Sequence, residues 1–260
     1  MSEVIFCDLD GTLLNIDGQP DLRTVKKIKA FINNGGIFII ATGRLDHDII
    51  YIEKKLGIRS YFRISQNGAI IKNQYNDIVL KRSLDTIVAK KIVNLLKKKK
   101  LRVEISDVNH RYLPSPRGVK NNGEFIDKCI IDPYFNRKIG ESIHPTSLLT
   151  FGTENKFLKL TEYVNTNYGE KIETIKTSAN TLEFLSKDAS KGAAIKKILK
   201  NLSPKPESIC AIGDSENDLS MFEVADYTYS LLSASETIQN NVDNVFPTVG
   251  DCIEDFINTI

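Results

Sequence analysis

Four aspartates fall in two close groups, and each group stands directly behind a short apolar run. Asp8 and Asp10 follow Val4, Ile5 and Phe6 in V-I-F-C-D-L-D-G-T-L-L, and Asp214 and Asp218 follow Ile209 to Ile212 in G-D-S-E-N-D. Acids at the end of a core strand are costly unless they are paired, hydrogen-bonded or bound to a metal, and several of them together would repel one another and raise their own pKa values. A divalent cation removes that conflict. An all-oxygen donor set suits Mg2+ and leaves positions for water and a phosphate oxygen. Thr42 and Lys191, each just past another ordered-looking segment, supply a hydroxyl and an ammonium for the remaining oxygens of such a group. Acids, metal and a cationic donor suit phosphoryl transfer, where catalysis is mainly alignment and charge neutralisation. On spacing alone, Asp10-Gly11 reads equally well as a simple strand-end turn.

The elements that would position these groups can be read from hydrophobic period. Val4 to Phe6 is a β-branched and aromatic run suited to a buried strand. After a polar loop at residues 15–21, Asp21 can cap a helix in which Val25, Ile28, Phe31 and Ile32 recur at helical spacing, ended by Asn33-Asn34-Gly35-Gly36. Ile37 to Ala41 is a second apolar strand and runs into Thr42-Gly43-Arg44. Strand, helix and strand in this order predict a right-handed parallel crossover, hence an α/β fold whose ligands gather at the carboxyl ends of the strands. A further helix is expected over Asp46 to Leu56, then a strand over Tyr61 to Ser65, a turn at Asn67-Gly68 and a small hairpin through Ile70-Ile71 and Ile78 to Leu80. At the far end, a helix beginning near Lys191, a strand over Ile209 to Ile212, a short helix at Ser220 to Val224, a strand over Tyr227 to Leu232 and two last helices restore the pattern of the start.

Between about Arg82 and Ser186 the character changes. A helix over Ile87 to Leu96 with a lysine-rich end, short alternating segments at Leu101 to Ile105 and Arg111 to Leu113, a surface loop at 114–123, a strand at Ser147 to Phe151, a helix at Glu154 to Tyr168 and two strands at Lys171 to Thr177 and Thr181 to Ser186 predict a second domain. Lys97 to Lys100 reads as a solvated helix end, because no aromatic residues are interleaved with it as a nucleic-acid surface would require.

Composition bounds the rest. The 260 residues are 41% hydrophobic and 26% charged, which fits a globular chain of one large or two modest domains. Thirty-five basic against 33 acidic residues leave a formal charge of +2, too little for a global field that would attract nucleic acid or an anionic membrane. The apolar runs are too short to cross a bilayer and the start shows no signal-peptide pattern, so a cytoplasmic location is expected. Cys7, Cys129, Cys210 and Cys252 have no metal-ligand spacing and are expected as reduced thiols. His47 is expected on a helix surface, and His110 and His144 have no evident metal partner.

D-L-D-G-T-L-L, A-T-G-R, S-K-G and G-D-S-E-N-D, in this order, resemble the four motifs of the haloacid dehalogenase-like phosphatases. More narrowly, the chain is similar to the Cof-like hydrolases, in which a large mixed cap is inserted between the second and third motifs. The resemblance covers nearly the whole chain. It implies a Rossmann-like parallel-sheet core made of residues 1–80 and 188–260, with an α/β cap over 81–187. It also implies that Asp8 is a nucleophile that forms an aspartyl-phosphate, and that Asp10 is the acid that protonates the leaving oxygen and the base that later activates water. Mg2+ would be held by the carboxylates of Asp8 and Asp214 and the backbone carbonyl of Asp10. Thr42, Gly43, Lys191 and Asn217 would bind the phosphoryl group, Gly43 through its unobstructed backbone, and Asp218 would position Lys191 or metal-bound water. Arg44 either pairs with a core acid or touches substrate.

The implied activity is hydrolysis of small phosphorylated metabolites, sugar phosphates first, then flavin mononucleotide and pyridoxal phosphate. A phosphomutase or phosphosugar transferase using the same intermediate, and a non-catalytic phosphometabolite-binding protein, are the alternatives. No nucleic-acid or membrane partner is expected, and the chain is expected as a monomer or weak homodimer. Glu183, Arg111, Arg117 and Lys120 are candidates to face the cleft from the cap. The chain departs from the Cof-like pattern at Ser230 to Ser235, where serine stands in place of an expected asparagine.

Overall fold

A computed structural model describes residues 3–15, 18–117 and 129–260. Residues 16 and 17 of the loop anticipated at 15–21, and 118–123 of that at 114–123 with Lys120 among them, lie outside the described residues.

In chain order the strands and helices are β1 (Val4–Cys7), α1 (Leu22–Asn33), β2 (Ile37–Ile40), α2 (Asp46–Leu56), β3 (Phe62–Ser65), β4 (Ile70–Asn73), β5 (Ile78–Lys81), α3 (Thr86–Lys98), β6 (Val103–Ser106), β7 (Arg111–Leu113), β8 (Cys129–Ile131), β9 (Ser147–Phe151), α4 (Glu154–Tyr168), β10 (Ile172–Ser178), β11 (Thr181–Ser186), α5 (Lys191–Asn201), β12 (Ile209–Ile212), α6 (Leu219–Phe222), β13 (Tyr227–Leu231), α7 (Glu236–Gln239), β14 (Asn244–Phe246) and α8 (Val249–Thr259). Contacts divide the chain into two compact units, one of Met1–Val79 with Ser190–Ile260 and the other of Leu80–Ala189.

The first unit is built on a parallel sheet in the order β14-β13-β12-β1-β2. β1 pairs in parallel with β2, so the first strand, helix and strand do form the expected crossover. All four residues of β1 are buried, which is what a strand covered on both faces demands. Ile5 and Cys7 join a core with Phe38, Ile40, Cys210 and Ile212 under α1, α2 and α8, while Val4 and Phe6 alternate to the opposite face. α1 starts where Asp21 accepts the amide of Thr24 at 3.0 Å. α8 docks beside it through Gly250, whose amide donates to Thr24 Oγ1 at 3.1 Å, and through Phe31 against Phe256, ring centroids 6.4 Å apart. β3 lies beyond β2, with the Thr42 amide donating to the Ile64 carbonyl at 3.0 Å, and pairs with β4 in a three-stranded sheet of order β3-β4-β5.

Successive strands leave β1 toward β2 on one side and β12 toward β13 and β14 on the other. The strand order therefore reverses between β1 and β12, and the crevice outside their carboxyl ends is where an open parallel sheet admits a ligand.

The second unit is a six-stranded sheet in the order β10-β11-β9-β6-β7-β8, antiparallel except for the β7–β8 pair. Val103, Ile105, Leu148, Leu182 and Phe184 turn to one face and pack with Val88, Ile92 and Leu96 of α3 and Phe157, Leu160 and Val164 of α4. The other face carries Glu104, Ser106, Ser147 and Glu183, all buried. The fold is thus a Rossmann-like parallel core with a mixed α/β insertion. No helix among the described residues is long and apolar enough to cross a membrane.

Three short elements escape the hydrophobic pattern. β14 is Asn244–Phe246 and β8 is Cys129–Ile131, each three residues long, and Phe135–Lys138 is a 3-10 turn. None is long enough to show a period.

Candidate active site

β1 delivers Asp8 and Asp10, β2 delivers Thr42 and Arg44, and β12 delivers Asp214 and Asp218, all from carboxyl ends, while Lys191 opens α5. Local backbone makes the convergence possible. Gly11 has φ +85°, and any Cβ there would lie 2.6 Å from Asp214 Oδ2, so the turn after Asp10 needs glycine both for conformation and for the approach of the acid from β12. Gly213 gives the same access, since a Cβ there would fall 2.5 Å from Asp218 Cβ.

Lys191 is the hub. Its side chain is 0% exposed, and Nζ donates to Asp8 Oδ1 at 2.5 Å and to Asp218 Oδ1 at 2.6 Å. Asp218 is committed on its other oxygen as well, because Oδ2 accepts the amides of Asp214 at 2.9 Å and Ser215 at 3.0 Å. Asp218 therefore locks both the lysine and the Asp214 loop. Asp214 accepts hydrogen bonds from the hydroxyls of Thr12 and, at 3.2 Å, Ser215. Thr42 Oγ1 accepts the Arg44 amide at 3.2 Å, which leaves its own hydroxyl hydrogen to be given to a ligand.

The electrostatics follow from burial. Burial alone would lower Lys191, but the carboxylates of Asp218 and Asp8 outweigh it and hold the ammonium above its ordinary range. Burial is also the largest influence on Asp8 and pushes its carboxyl well above the ordinary aspartate range; Lys191 pulls it down, while Asp218 and Asp214 push it up again. Asp214 is raised too, first by burial and then by Asp218, against the hydrogen bond from Thr12. Three carboxylates thus share one lysine.

Asp8, Asp214 and Asp218 each offer an oxygen within 4.8 Å of the others. Hard oxygens, a formal surplus of two negative charges over Lys191, and the glycine cradle that brings Asp214 to the β1 turn fit a divalent cation. Asp8 keeps Oδ2 for it and the Asp214 oxygens accept only the rotatable hydroxyls of Thr12 and Ser215, whereas both oxygens of Asp218 are held by Lys191 and two backbone amides. The Asp10 carboxylate does not join this cluster. Its side chain is 51% exposed and is gripped by Arg44, with Nε 2.8 Å from Oδ2 and Nη2 2.5 Å from Oδ1. Arg44 thus pairs with an acid at the end of β1, one of the two roles open to it in the sequence. A bidentate guanidinium fixes the plane of the Asp10 carboxylate as a single lysine could not.

Asn217 Nδ2 donates to Asn67 Oδ1 at 2.9 Å, bringing β3's turn into the same site. Thr12 and Asn67 were not among the expected site residues; Thr12 lay inside D-G-T and Asn67 inside a turn pair, and neither carries a charge that would draw attention. Ser230, in the segment that departs from the Cof-like pattern, is buried and donates Oγ to the Gly213 carbonyl at 2.7 Å, so it braces the Asp214 loop. His47 is partly buried beside Asp48 rather than on a free helix surface, since Nε2 lies 3.7 Å from Asp48 Oδ1.

The cap candidates lie in the second unit. Arg111 is buried and donates Nε to Ser106 Oγ at 3.3 Å, Arg117 pairs with Glu104 at 2.5 Å, and Glu183 is buried on the same sheet face. His110 pairs with Asp107 at 3.7 Å and His144 is exposed.

A doubly wound parallel core with acids and one buried lysine gathered at its reversal point defines an α/β enzyme of the hydrolase and phosphotransfer kind. A haloacid dehalogenase-like hydrolase family model matches residues 5–253, and the chain belongs to that family. It is 26% identical to Phosphatase YwpJ of Bacillus subtilis over 94% of both chains. It is also 26% identical to 5-amino-6-(5-phospho-D-ribitylamino)uracil phosphatase YwtE of the same organism, over 90% of this chain and 89% of that one. Among solved structures, a haloacid dehalogenase-like hydrolase from B. subtilis superposes with a TM-score of 0.84 at 25% identity, covering 96% of this chain and 98% of the other.

Proposed function

We propose that this protein is a Mg2+-dependent phosphomonoesterase of the Cof-like branch, acting on small phosphorylated metabolites, sugar phosphates foremost, through an aspartyl-phosphate on Asp8. The observation that carries this reading is the buried Lys191 Nζ, 2.5 Å from Asp8 and 2.6 Å from Asp218, beside a third acid. Such a site is short of positive charge, which a divalent cation supplies, and the cation together with Lys191 then offers a dianionic phosphoryl group its charge partners.

In the proposed reaction an Asp8 oxygen attacks phosphorus, the phosphorus–oxygen ester bond breaks, and Asp10 gives its proton to the departing alkoxide. Asp10 then takes a proton from water as that water attacks the acyl phosphate, which returns the Asp8 carboxylate and releases inorganic phosphate. Lys191, Thr42, Asn217 and the Gly43 backbone orient the phosphoryl oxygens, Asp218 holds Lys191, and Arg44 keeps Asp10 in one orientation. Mg2+, held by Asp8, Asp214 and the Asp10 carbonyl, would neutralise charge on the transferring group.

The division of the chain into a core of 1–80 and 188–260 and a cap of 81–187 belongs to the same proposal, with substrate choice assigned to the cap. Support comes from the contact division near both boundaries and from the polar face of the six-stranded sheet. That YwtE is named for a phosphorylated ribityl compound supports a polyol or sugar phosphate here. A cytoplasmic setting is proposed with it, consistent with four free cysteines, of which Cys7, Cys210 and Cys252 are buried.

The test is phosphate release from a panel of phosphorylated metabolites with and without Mg2+. Metal-dependent release, strongest for sugar phosphates, is expected. Tight metabolite binding with no metal-dependent release across the panel would overturn the reading, and transfer to a second phosphosugar in place of release would make the protein a transferase.

A further inference from the structure

The turn after β3 reaches three of the segments to which phosphate binding is assigned. Gln66, Asn67 and Gly68 all have positive φ, at 51°, 52° and 88°. A run of left-handed residues that includes two with side chains is unfavourable and persists only where the surroundings hold it. Here the surroundings are the site. The Gln66 amide donates to the Arg44 carbonyl and the Asn67 amide to the Thr42 carbonyl, both at 2.9 Å. A Cβ on Gly68 would stand 2.1 Å from the Ser190 carbonyl and 3.1 Å from the Lys191 amide nitrogen, so the turn lies flush against the start of α5. A Cβ on Gly43 would meet Asn67 Nδ2 at 3.1 Å. The Asn67 side chain, 0% exposed, thus lies between the Gly43 backbone and the Asn217 carboxamide.

We propose that Asn67 is a positioning residue for phosphoryl binding, fixing the Asn217 carboxamide in its binding geometry. An asparagine carboxamide turns about a broad torsion unless something holds it. Asn217 Nδ2 gives one hydrogen to Asn67 Oδ1 and has no acceptor for the second among the described residues, so the contact aims that second hydrogen. Holding the donor before the ligand arrives removes an ordering cost from binding. A turn needed only for chain reversal would be satisfied by its backbone and would not require a buried carboxamide bonded to a residue 150 positions away.

This inference rests on the phosphatase reading of the site. Its test is the binding of inorganic phosphate in the presence of Mg2+, measured by calorimetry on the full chain for wild type, Asn67→Gly, Asn217→Ala and the double variant. Glycine keeps the left-handed backbone and removes only the carboxamide. Each single variant is expected to weaken phosphate binding about tenfold, and Asn67→Gly to weaken it less than about twofold further once Asn217 is alanine, the signature of coupled residues. Asn67→Gly within twofold of wild type, or the same loss with and without Asn217, overturns the inference while leaving the phosphatase reading intact. A wild-type protein that neither binds nor releases phosphate overturns both. Should the glycine variant fail to fold, Asn67→Ser removes the carboxamide while filling part of its volume and is read by the same cycle.

Discussion

In the six-stranded sheet Glu104 is fully buried, and Arg102 and Arg117 bring two guanidinium groups to its one carboxylate at 2.8 and 2.5 Å. At the carboxyl ends of the parallel sheet, Asp8, Asp214 and Asp218 share the single ammonium of Lys191. The consequences have opposite sign. Glu104 is held below the ordinary glutamate range: burial by itself would raise it, but the hydrogen bond and charge of Arg117, the hydrogen bond of Arg102 and the charge of Arg111 overcome that. Asp8 and Asp214 are raised, because burial and neighbouring acids overcome their few donors. A buried acid with its charge answered inside the fold is structural, whereas buried acids left short of positive charge are prepared for something that arrives.

The largest break in this contrast comes at the nucleophile. Asp8→Asn is expected to lower turnover about 10⁴-fold or more and to abolish phosphoryl-enzyme formation. Asp10→Asn, which removes acid and base catalysis but leaves the attacking carboxylate, is expected to slow turnover by about 10²–10⁴-fold and still to become phosphorylated. Intact mass after a rapid quench, with the phosphate located by peptide, distinguishes them. Phosphate found on an Asp8→Asn protein contradicts the assignment.

Next in size is the hub itself. Lys191→Met leaves Asp8 and Asp218 buried without their shared cation and should cost about 3–5 kcal/mol in metal-free urea unfolding. A variant as stable as wild type would mean that the two carboxylates are neutral in the folded protein, and the surplus of negative charge would vanish with them. Mg2+ provides a smaller and complementary effect. Saturation at a hundred times its dissociation constant should stabilise the protein by about 2.7 kcal/mol. Asp214→Asn should abolish the rise in melting temperature, and a charge change at Glu104 should leave it. A wild-type melting curve unmoved by millimolar Mg2+ would remove the cation from the site.

The two regions also differ in how far they could be read from sequence. Asp8, Thr42, Lys191 and Asp214 were visible because each follows or opens a regular element, where a polar group behind an apolar run stands out against its period. Asp10 was visible too, and pairing of Arg44 with a core acid was one of its two readings, but not which acid, since pairing across 34 residues depends on how β1 and β2 lie together. Asn67 was hidden by its neighbour: Asn-Gly explains a turn so well that the fate of the carboxamide goes unasked. Glu104 was hidden for the reverse reason. In R-V-E-I-S the alternation of Val103 and Ile105 with Glu104 and Ser106 reads as a half-buried strand with a solvent face, yet both faces of β6 are buried. Only tertiary structure reports that the polar face is covered, and only it reports that two arginines have come to meet it.

Glu104 also provides the subtlest test of the contrast. Glu104→Gln leaves two guanidinium groups around an uncharged amide, and a loss of about 1–3 kcal/mol at neutral pH is expected from the weakened buried hydrogen bonds. The sign with pH follows from linkage. The folded carboxyl lies below its ordinary value of 4.5, so the stabilisation it brings is complete above the unfolded value and is lost as pH falls through the folded one. The difference in stability between wild type and Glu104→Gln should therefore be constant from neutral pH down to about 5 and shrink on further acidification. Unfolding of both proteins by urea across that range measures it. A difference that widens toward acid would place Glu104 with the raised carboxylates of the parallel sheet, and the balance of charge would no longer separate the structural acid from the reactive ones.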